Sequence, residues 1–240
     1  HFTVQTDADG IALVTWDMTD RSMNVITAEV MAELEAICDA TVADAAVKGV
    51  VITSGKDTFS GGADLKMLEG MLKKAAMMRR ADAEAASKLV FDESRKLSLL
   101  FRKIETCGKP WVSAINGLCL GGAFELSLSC HARVMSDAEK AKVGLPEVKV
   151  GIFPGAGGTQ RVMRLTDAQS GLTMLLQGTQ HGAHKAKSLG LVTEVAPAAD
   201  LIAVAKGLLK DGKVAPVAAW DRKDFKLANR VYTPAGMQFW

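Results

Sequence analysis

Trp111-Val112-Ser113-Ala114-Ile115-Asn116-Gly117-Leu118-Cys119-Leu120-Gly121-Gly122-Ala123-Phe124-Glu125-Leu126 sets a strand, a glycine turn and a helix in one stretch. Trp111 to Ile115 is an apolar run of strand length, Gly121 and Gly122 provide the turn, and the helix that follows carries Glu125. The same order occurs earlier in the chain. There the apolar run Gly49-Val50-Val51-Ile52-Thr53-Ser54 precedes Phe59-Ser60-Gly61-Gly62-Ala63-Asp64-Leu65-Lys66, which enters another helix. A strand that ends in a glycine-rich loop and passes into a helix aims backbone N–H groups into a crevice beyond its carboxyl end. Ala63 and Gly122 occupy those junctions.

Around these units strands and helices alternate. Phe2 to Gln5 and Ile11 to Trp16 flank Asp7-Ala8-Asp9-Gly10, a turn signal that predicts an antiparallel hairpin. Thr27 reads as the N-cap of a helix from Ala28 to about Thr41, in which Val30, Met31, Leu34, Ile37 and Cys38 recur at helical spacing. The helical stretch from about Leu65 to Glu105 is longer than an ordinary globular helix and predicts at least one break. A strand near Arg133 to Ser136 and a turn at Asp137 to Lys140 lead on toward Glu147. Such alternation predicts an α/β fold.

Both Glu125 and Glu147, the latter in Gly144-Leu145-Pro146-Glu147-Val148, stand beside glycine-rich backbone. Two carboxyl groups over one substrate can divide acid/base work when their surroundings push their proton affinities apart. Bare glycine N–H groups can stabilise charge developing on a carbonyl or thioester oxygen, a contribution of about 3 to 4 kcal/mol per donor. Each feature also has a plain structural reading, since Gly-Gly is ordinary turn chemistry and an acid suits a helix N-terminus. Lys66 is either a contact for an anionic ligand or a solvated helical lysine. Asp64 can act simply as an acid in a first helical turn. Met67, Met71, Met77 and Met78, with Leu68 and Leu72, form an adaptable apolar cluster suited to core packing or to an apolar binding pocket.

Other motifs are less productive. Gly155-Ala156-Gly157-Gly158-Thr159-Gln160 lacks the last glycine of a dinucleotide fingerprint, and no Lys-Ser or Lys-Thr pair follows it. It reads as a wall behind Glu147, with a helix starting at Gly158-Thr159. His181 and His184 have no third ligand near in sequence, so no metal site is expected. His131, between a helix and a strand, reads as structural.

The 240 residues, 48% hydrophobic and 23% charged, have ordinary globular composition. A net charge of +2 from scattered basic residues gives no nucleic-acid footprint, and no apolar run reaches the roughly 18 residues of a membrane span. Cys38, Cys107, Cys119 and Cys130 show no C-x-x-C spacing and read as reduced thiols of a cytoplasmic protein. A start at His1 without methionine suggests trimming.

Taken in order, these motifs resemble the crotonase superfamily of enoyl-CoA hydratases and isomerases. The similarity is carried by Phe59 to Lys66, by Lys109-Pro110-Trp111 leading into Gly121 to Glu125, and by Gly144 to Glu147 continuing through Gly151-Ile152-Phe153-Pro154-Gly155 to Arg161. Weaker similarity extends from about Phe2 to Val195. The resemblance implies a ClpP-like spiral of ββα units with surrounding helices over residues 1–195, followed by a helical tail or linker over 196–240. It implies Ala63 and Gly122 as an oxyanion hole, Glu125 as the base that orients water, Glu147 as the proton donor to C2, and Asp64, Leu65, Lys66 and Met67 as substrate-binding residues. The implied reaction adds water across the C2=C3 bond of a trans-2-enoyl-CoA in fatty-acid β-oxidation. No cofactor is implied, because coenzyme A belongs to the substrate. Δ3-Δ2-enoyl-CoA isomerisation and a non-catalytic binding module are the alternatives.

Leu145 to Lys149, Gly151 to Gly155 and Trp220-Asp221-Arg222-Lys223-Asp224-Phe225-Lys226 look most like the N-terminal hydratase part of bacterial multifunctional fatty-acid oxidation enzymes, ahead of a nicotinamide-dependent dehydrogenase domain. That implies a fragment of a homo-oligomer or of an assembly with a thiolase subunit. Two departures stand out. The Glu125–Glu147 spacing is slightly longer than the family pattern, which should enlarge the turn at Asp137 to Lys140. The C-terminal helix pair of single-function hydratases is not recognisable.

Overall fold

In the computed structural model, residues 1–227 are described together with Pro234 and Met237. The rest of the expected tail lies outside the described residues. The chain runs β1 (Phe2–Thr6), β2 (Ile11–Trp16), α1 (Ala28–Ala43), β3 (Gly49–Ser54), α2 (Leu65–Arg79), α3 (Ala83–Thr106), β4 (Trp111–Ile115), β5 (Cys119–Leu120), α4 (Gly122–Ser129), β6 (Ala132–Ser136), β7 (Lys142–Gly144), α5 (Gly158–Leu165), α6 (Ala168–Gln177), β8 (Gln180–Gly182), α7 (Ala183–Ser188), β9 (Glu194–Ala196) and α8 (Leu201–Lys210). Among the described residues no helix is long and apolar enough to cross a membrane.

The expected hairpin forms, with β1 antiparallel to β2. Asp7 closes its turn by accepting from the N–H groups of Asp9 and Ile11, both at 3.0 Å. From β2 onward the main sheet is parallel, in the order β1-β2-β3-β4-β6-β9. The strands β3, β4 and β6 are buried along their whole length, which is why their sequences read as apolar runs rather than as alternation. Thr27 caps α1 by accepting from Val30 N–H at 3.2 Å. The predicted break in the long helical stretch falls between α2 and α3, where Asp82 caps α3 by accepting from Ala85 N–H at 2.9 Å. A second sheet, β5-β7-β8, was not foreseen. Its strands are two or three residues long, too short for a period to register.

Three cores lock these layers together. On one face of the main sheet Trp16, Ile52 and Trp111 pack with Val30 and Leu34 of α1, Leu100, Phe101 and Ile104 of α3, and Leu126 of α4. Full burial of a side chain such as Phe101 contributes about 1.5 to 3 kcal/mol before its ordering cost. On the other face Val51, Val112, Ala114 and Val134 meet Leu201 and Ala205 of α8. The third core joins Phe124 and Leu128 of α4 to Ile115, Leu145, Val162 and Met174. All eight residues of α4 are buried. At its C-terminal end Arg133, itself buried, donates to the carbonyls of Cys130 at 2.8 Å and Leu191 at 2.7 Å. His131 is structural as expected: Nδ1 accepts from Trp111 N–H at 3.0 Å, and Nε2 lies 3.2 Å from the Glu105 carbonyl. The expected boundary at 195 falls inside β9, and α8 beyond it covers the sheet.

Candidate active site

The glycine loops after β3 and β4 come together. Ile26 N–H donates to the Gly62 carbonyl at 2.8 Å, and Asp64 N–H donates to the Ile26 carbonyl at 3.0 Å. The Ala63 N–H between them has no acceptor among the described residues. Gly121 N–H donates to the Gly144 carbonyl at 3.0 Å. Gly122, the first residue of α4, has no earlier helical carbonyl to reach, and its N–H also lacks an acceptor among the described residues. The loops meet backbone to backbone. A Cβ on Gly62, whose φ is +94°, would lie 3.1 Å from Gly122 N and 2.7 Å from the Leu120 carbonyl oxygen. Only glycine fits there.

Glu125, in the first turn of α4 and 2% exposed, is held from one side. Its Oε1 accepts from Ala156 N–H at 2.8 Å and from Gly158 N–H at 2.7 Å, while no hydrogen bond among the described residues uses Oε2. Burial pushes its pKa up, opposed by those two amides and by the positive charge of Arg161. The Gly155 to Gln160 loop, expected as a wall behind Glu147, supplies two amides to Glu125. Gly157, at φ +100°, bends the loop so that the amides on either side face the same carboxylate oxygen.

Glu147 sits on a 3-10 turn, Glu147–Val150, against the second glycine loop. A Cβ on Gly121, whose φ is +55°, would be 3.2 Å from Glu147 Oε1. Glu147 Oε2 is buried without a partner among the described residues. Burial, with a further contribution from the negative charge of Glu125, pushes the Glu147 pKa up to about 7. The pair is therefore asymmetric: one carboxyl is fixed by amides, and burial beside it favours the protonated form of the other.

Asp64 is the N-cap of α2 rather than a first-turn acid. It accepts from Lys66 N–H at 2.8 Å, from Met67 N–H at 3.3 Å and from Arg21 Nη1 at 2.7 Å. The Arg21 hydrogen bond is the main reason that its pKa is held below the usual carboxylate range. Leu65 and Lys66 are exposed, and Met67 is half-buried. A cleft of about 900 Å³ opens between α2 and α3, lined by Ala75, Arg79, Ala86, Val90, Phe91 and Gly155 among others. The methionine cluster does not line it. Helix α2 turns its small residues toward the cleft, while Met77 is 76% exposed.

Two buried residues that the motifs did not single out adjoin the site. Arg161 Nε donates to Glu105 Oε1 at 2.8 Å, and its Nη1 donates to the Ala156 carbonyl at 2.9 Å. The available signal for Arg161 was its place one turn after Gly157. Glu105 offered only a charge beside the apolar pair Phe101 and Ile104. Among the described residues, His181 and His184 belong to no group of three metal-ligating side chains.

Fold and site together define an α/β protein in which two backbone N–H groups without acceptors among the described residues stand beside a pair of buried carboxyl groups. Residues 6–213 match the family model for enoyl-CoA hydratase/isomerase. The chain belongs to that family, and its fold is the crotonase fold that the motifs implied. Fatty acid oxidation complex subunit alpha of Idiomarina loihiensis is 42% identical over 205 residues, covering 85% of this chain and 27% of the relative. The protein of the same name from Shewanella frigidimarina is 39% identical over 215 residues, covering 89% of this chain and 28% of the relative. The chain thus spans little more than a quarter of the length of these curated relatives. Among solved structures, enoyl-CoA hydratase from Bacillus anthracis aligns with a TM-score of 0.74 at 28% identity, covering 90% of this chain and 78% of the other. Enoyl-CoA hydratase from Thermoplasma volcanium aligns with a TM-score of 0.72 at 27% identity, covering 88% and 76%.

Proposed function

We propose that this chain hydrates the C2=C3 bond of trans-2-enoyl-CoA thioesters. The observation that carries the reading is the asymmetric Glu125–Glu147 pair beside the acceptor-free N–H groups of Ala63 and Gly122. Those N–H groups donate to the thioester oxygen and stabilise the enolate as charge moves onto it. Glu125, fixed through Oε1, takes a proton from water with its free Oε2 while the water oxygen bonds to C3. Glu147 then delivers a proton to C2, a role suited to a group whose pKa stands near 7. Exchange of a proton between the coupled carboxyls through the next water resets the pair. Asp64 orders the start of α2, where Leu65, Lys66 and Met67 meet the substrate, with Lys66 toward the coenzyme's phosphates. The acyl chain leaves along the α2–α3 cleft. Coenzyme A enters as part of the substrate, and the reaction uses no further cofactor.

A second activity is supported by one observation. Glu147, with an unpartnered buried oxygen and a pKa near 7, can shuttle a proton alone, which is all that Δ3-Δ2-enoyl-CoA isomerisation needs. The names of the relatives support a place in fatty-acid oxidation within a longer multifunctional protein, as a homo-oligomer or with a thiolase subunit. Residues 196–240, with α8 packed on the sheet, then lead toward a dehydrogenase domain.

Crotonyl-CoA hydration, followed by loss of enoyl-thioester absorbance, tests the reading. The chain should turn over, and Glu125→Gln should lower kcat at least about a hundredfold in folded protein. Near-normal hydration by Glu125→Gln would remove its role as base. Isomerisation of a 3-enoyl-CoA that survives in Glu125→Gln and is lost in Glu147→Gln would support the second activity.

A further inference from the structure

Glu125 is held by amides, and those amides are themselves held. Ala156 is gripped on both sides: its N–H, in the peptide from Gly155, donates to Glu125 Oε1 at 2.8 Å, and its carbonyl, in the peptide to Gly157, accepts from Arg161 Nη1 at 2.9 Å. The guanidinium lies directly on the turn. A Cβ on Gly157 would come within 2.3 Å of Arg161 Nη1. Behind it, Glu105 receives Arg161 Nε at 2.8 Å and Nη2 at 3.3 Å. Arg102 bonds the same carboxylate and reaches outward to Asp221 at 2.7 and 2.8 Å. Glu105 is 2% exposed and Arg161 6%. A buried ion pair of this kind is weak as a stabilising device, because well-packed apolar residues of similar volume commonly do as well or better. Its geometry offers a better reason for it: one side chain clamps the loop whose amides grip the proposed base.

We propose that Arg161, anchored by Glu105, is a positioning residue that holds the Ala156 and Gly158 amides on Glu125 and so aims the free oxygen of that carboxylate at the substrate water. The inference rests on the reading of Glu125 as the base. The charged groups facing Glu125 are Glu147 and, from α5, Arg161, with Glu105 and Arg102 of α3 behind the latter. Arg161 contributes both the loop clamp and a nearby positive charge, so its loss frees the amides and disfavours the ionised carboxylate together.

The test replaces the pair by apolar residues, Glu105→Leu with Arg161→Met, to avoid stranding either charge. In the full chain, kcat for crotonyl-CoA should fall at least about tenfold while KM changes less than about threefold, because a misplaced catalytic group costs turnover rather than binding. Independently of turnover, carboxylate carbon NMR of glutamate-labelled protein, with the signal assigned by its loss in Glu125→Gln, should show the Glu125 midpoint rising by at least about half a pH unit. A folded double variant with kcat within about twofold of normal and an unmoved midpoint overturns the proposal. Should the unaltered chain itself fail to hydrate crotonyl-CoA, the hydratase reading falls, and the NMR midpoint alone decides whether Arg161 governs Glu125. Arg161→Lys provides a second route if the double variant does not fold. It keeps the charge but not the fork that spans Ala156 and Glu105, and it should lower kcat at least about fivefold; normal turnover would overturn the clamp.

Discussion

Glu147 should destabilise the folded chain in the pH range where it is poised to act. Its pKa stands at about 7 instead of the ordinary 4.5. Below pH 4.5 folded and unfolded chains both carry the proton. Between 4.5 and 7 the unfolded chain releases it while the folded chain keeps it, so the contribution of this group to stability falls as pH rises through this window and is gone above the folded value. At 1.36 kcal/mol per pH unit the rise corresponds to an upper bound of about 3 kcal/mol, which partial solvent access at the site reduces to about 2 kcal/mol. Glu147→Gln removes this titration. Urea unfolding at pH 5 and pH 8 should show the stability of the variant, relative to the unaltered chain, improving by about 2 kcal/mol between the two conditions. In thermal melts that is a relative gain of about 4 to 8 °C. Comparing the two pH values cancels the fixed cost of an amide in this site, and His131 and His181 titrate alike in both proteins. Removing the charge of Glu147 also eases ionisation of Glu125, which acts in the same direction. A stability difference that stays constant within about 0.5 kcal/mol from pH 5 to pH 8 would refute the reasoning.

Further perturbations follow from the local geometry. Gly121→Ala forces a side chain onto a φ of +55° and within 3.2 Å of Glu147 Oε1. It should cost about 1 to 3 kcal/mol in urea unfolding and impair turnover by displacing that carboxyl; unchanged stability would mean that the turn relaxes freely. Asp64→Ala removes the cap of α2 and the partner of Arg21. A loss of about 1 kcal/mol is expected, with KM for crotonyl-CoA raised more than kcat is lowered, and steady-state kinetics that show the reverse would argue against a binding role for the start of α2.

The sequence was most legible where one element carries its own pattern. Trp111 to Ile115 appears as β4 without a shift, and Thr27 and Gly158 begin helices as expected, because strand runs and caps are short-range effects. The two glycine-loop junctions and both glutamates could be marked for the same reason. What escaped notice depends on contacts far apart in the chain. The amides of Ala156 and Gly158 reach Glu125 across more than thirty positions, and Arg161 reaches Glu105 across 56. Nothing in the local sequence announces such a pairing. The methionines after the first glycine loop misled differently: their composition suits an apolar pocket, yet the cleft is lined by Ala75, Ala76 and Arg79 of α2 and by residues of α3, because which face of a helix meets a cleft is set by its neighbour and not by composition.

The burial of α4 along its whole length has an electrostatic consequence. Its aligned peptide dipoles put partial positive charge at Gly122 N–H, and Arg133 at the far end balances the partial negative charge there. No part of that helix is wetted enough for mobile ions to gather around it. Dissolved ions screen exposed charges over about 10 Å at 0.1 M but leave buried ones much less affected. Under the proposed function, raising the ionic strength should therefore weaken substrate capture by exposed groups such as Lys66 while leaving the turnover of bound substrate nearly constant: the helix dipole and the buried side chains beside it lie beyond the reach of the buffer.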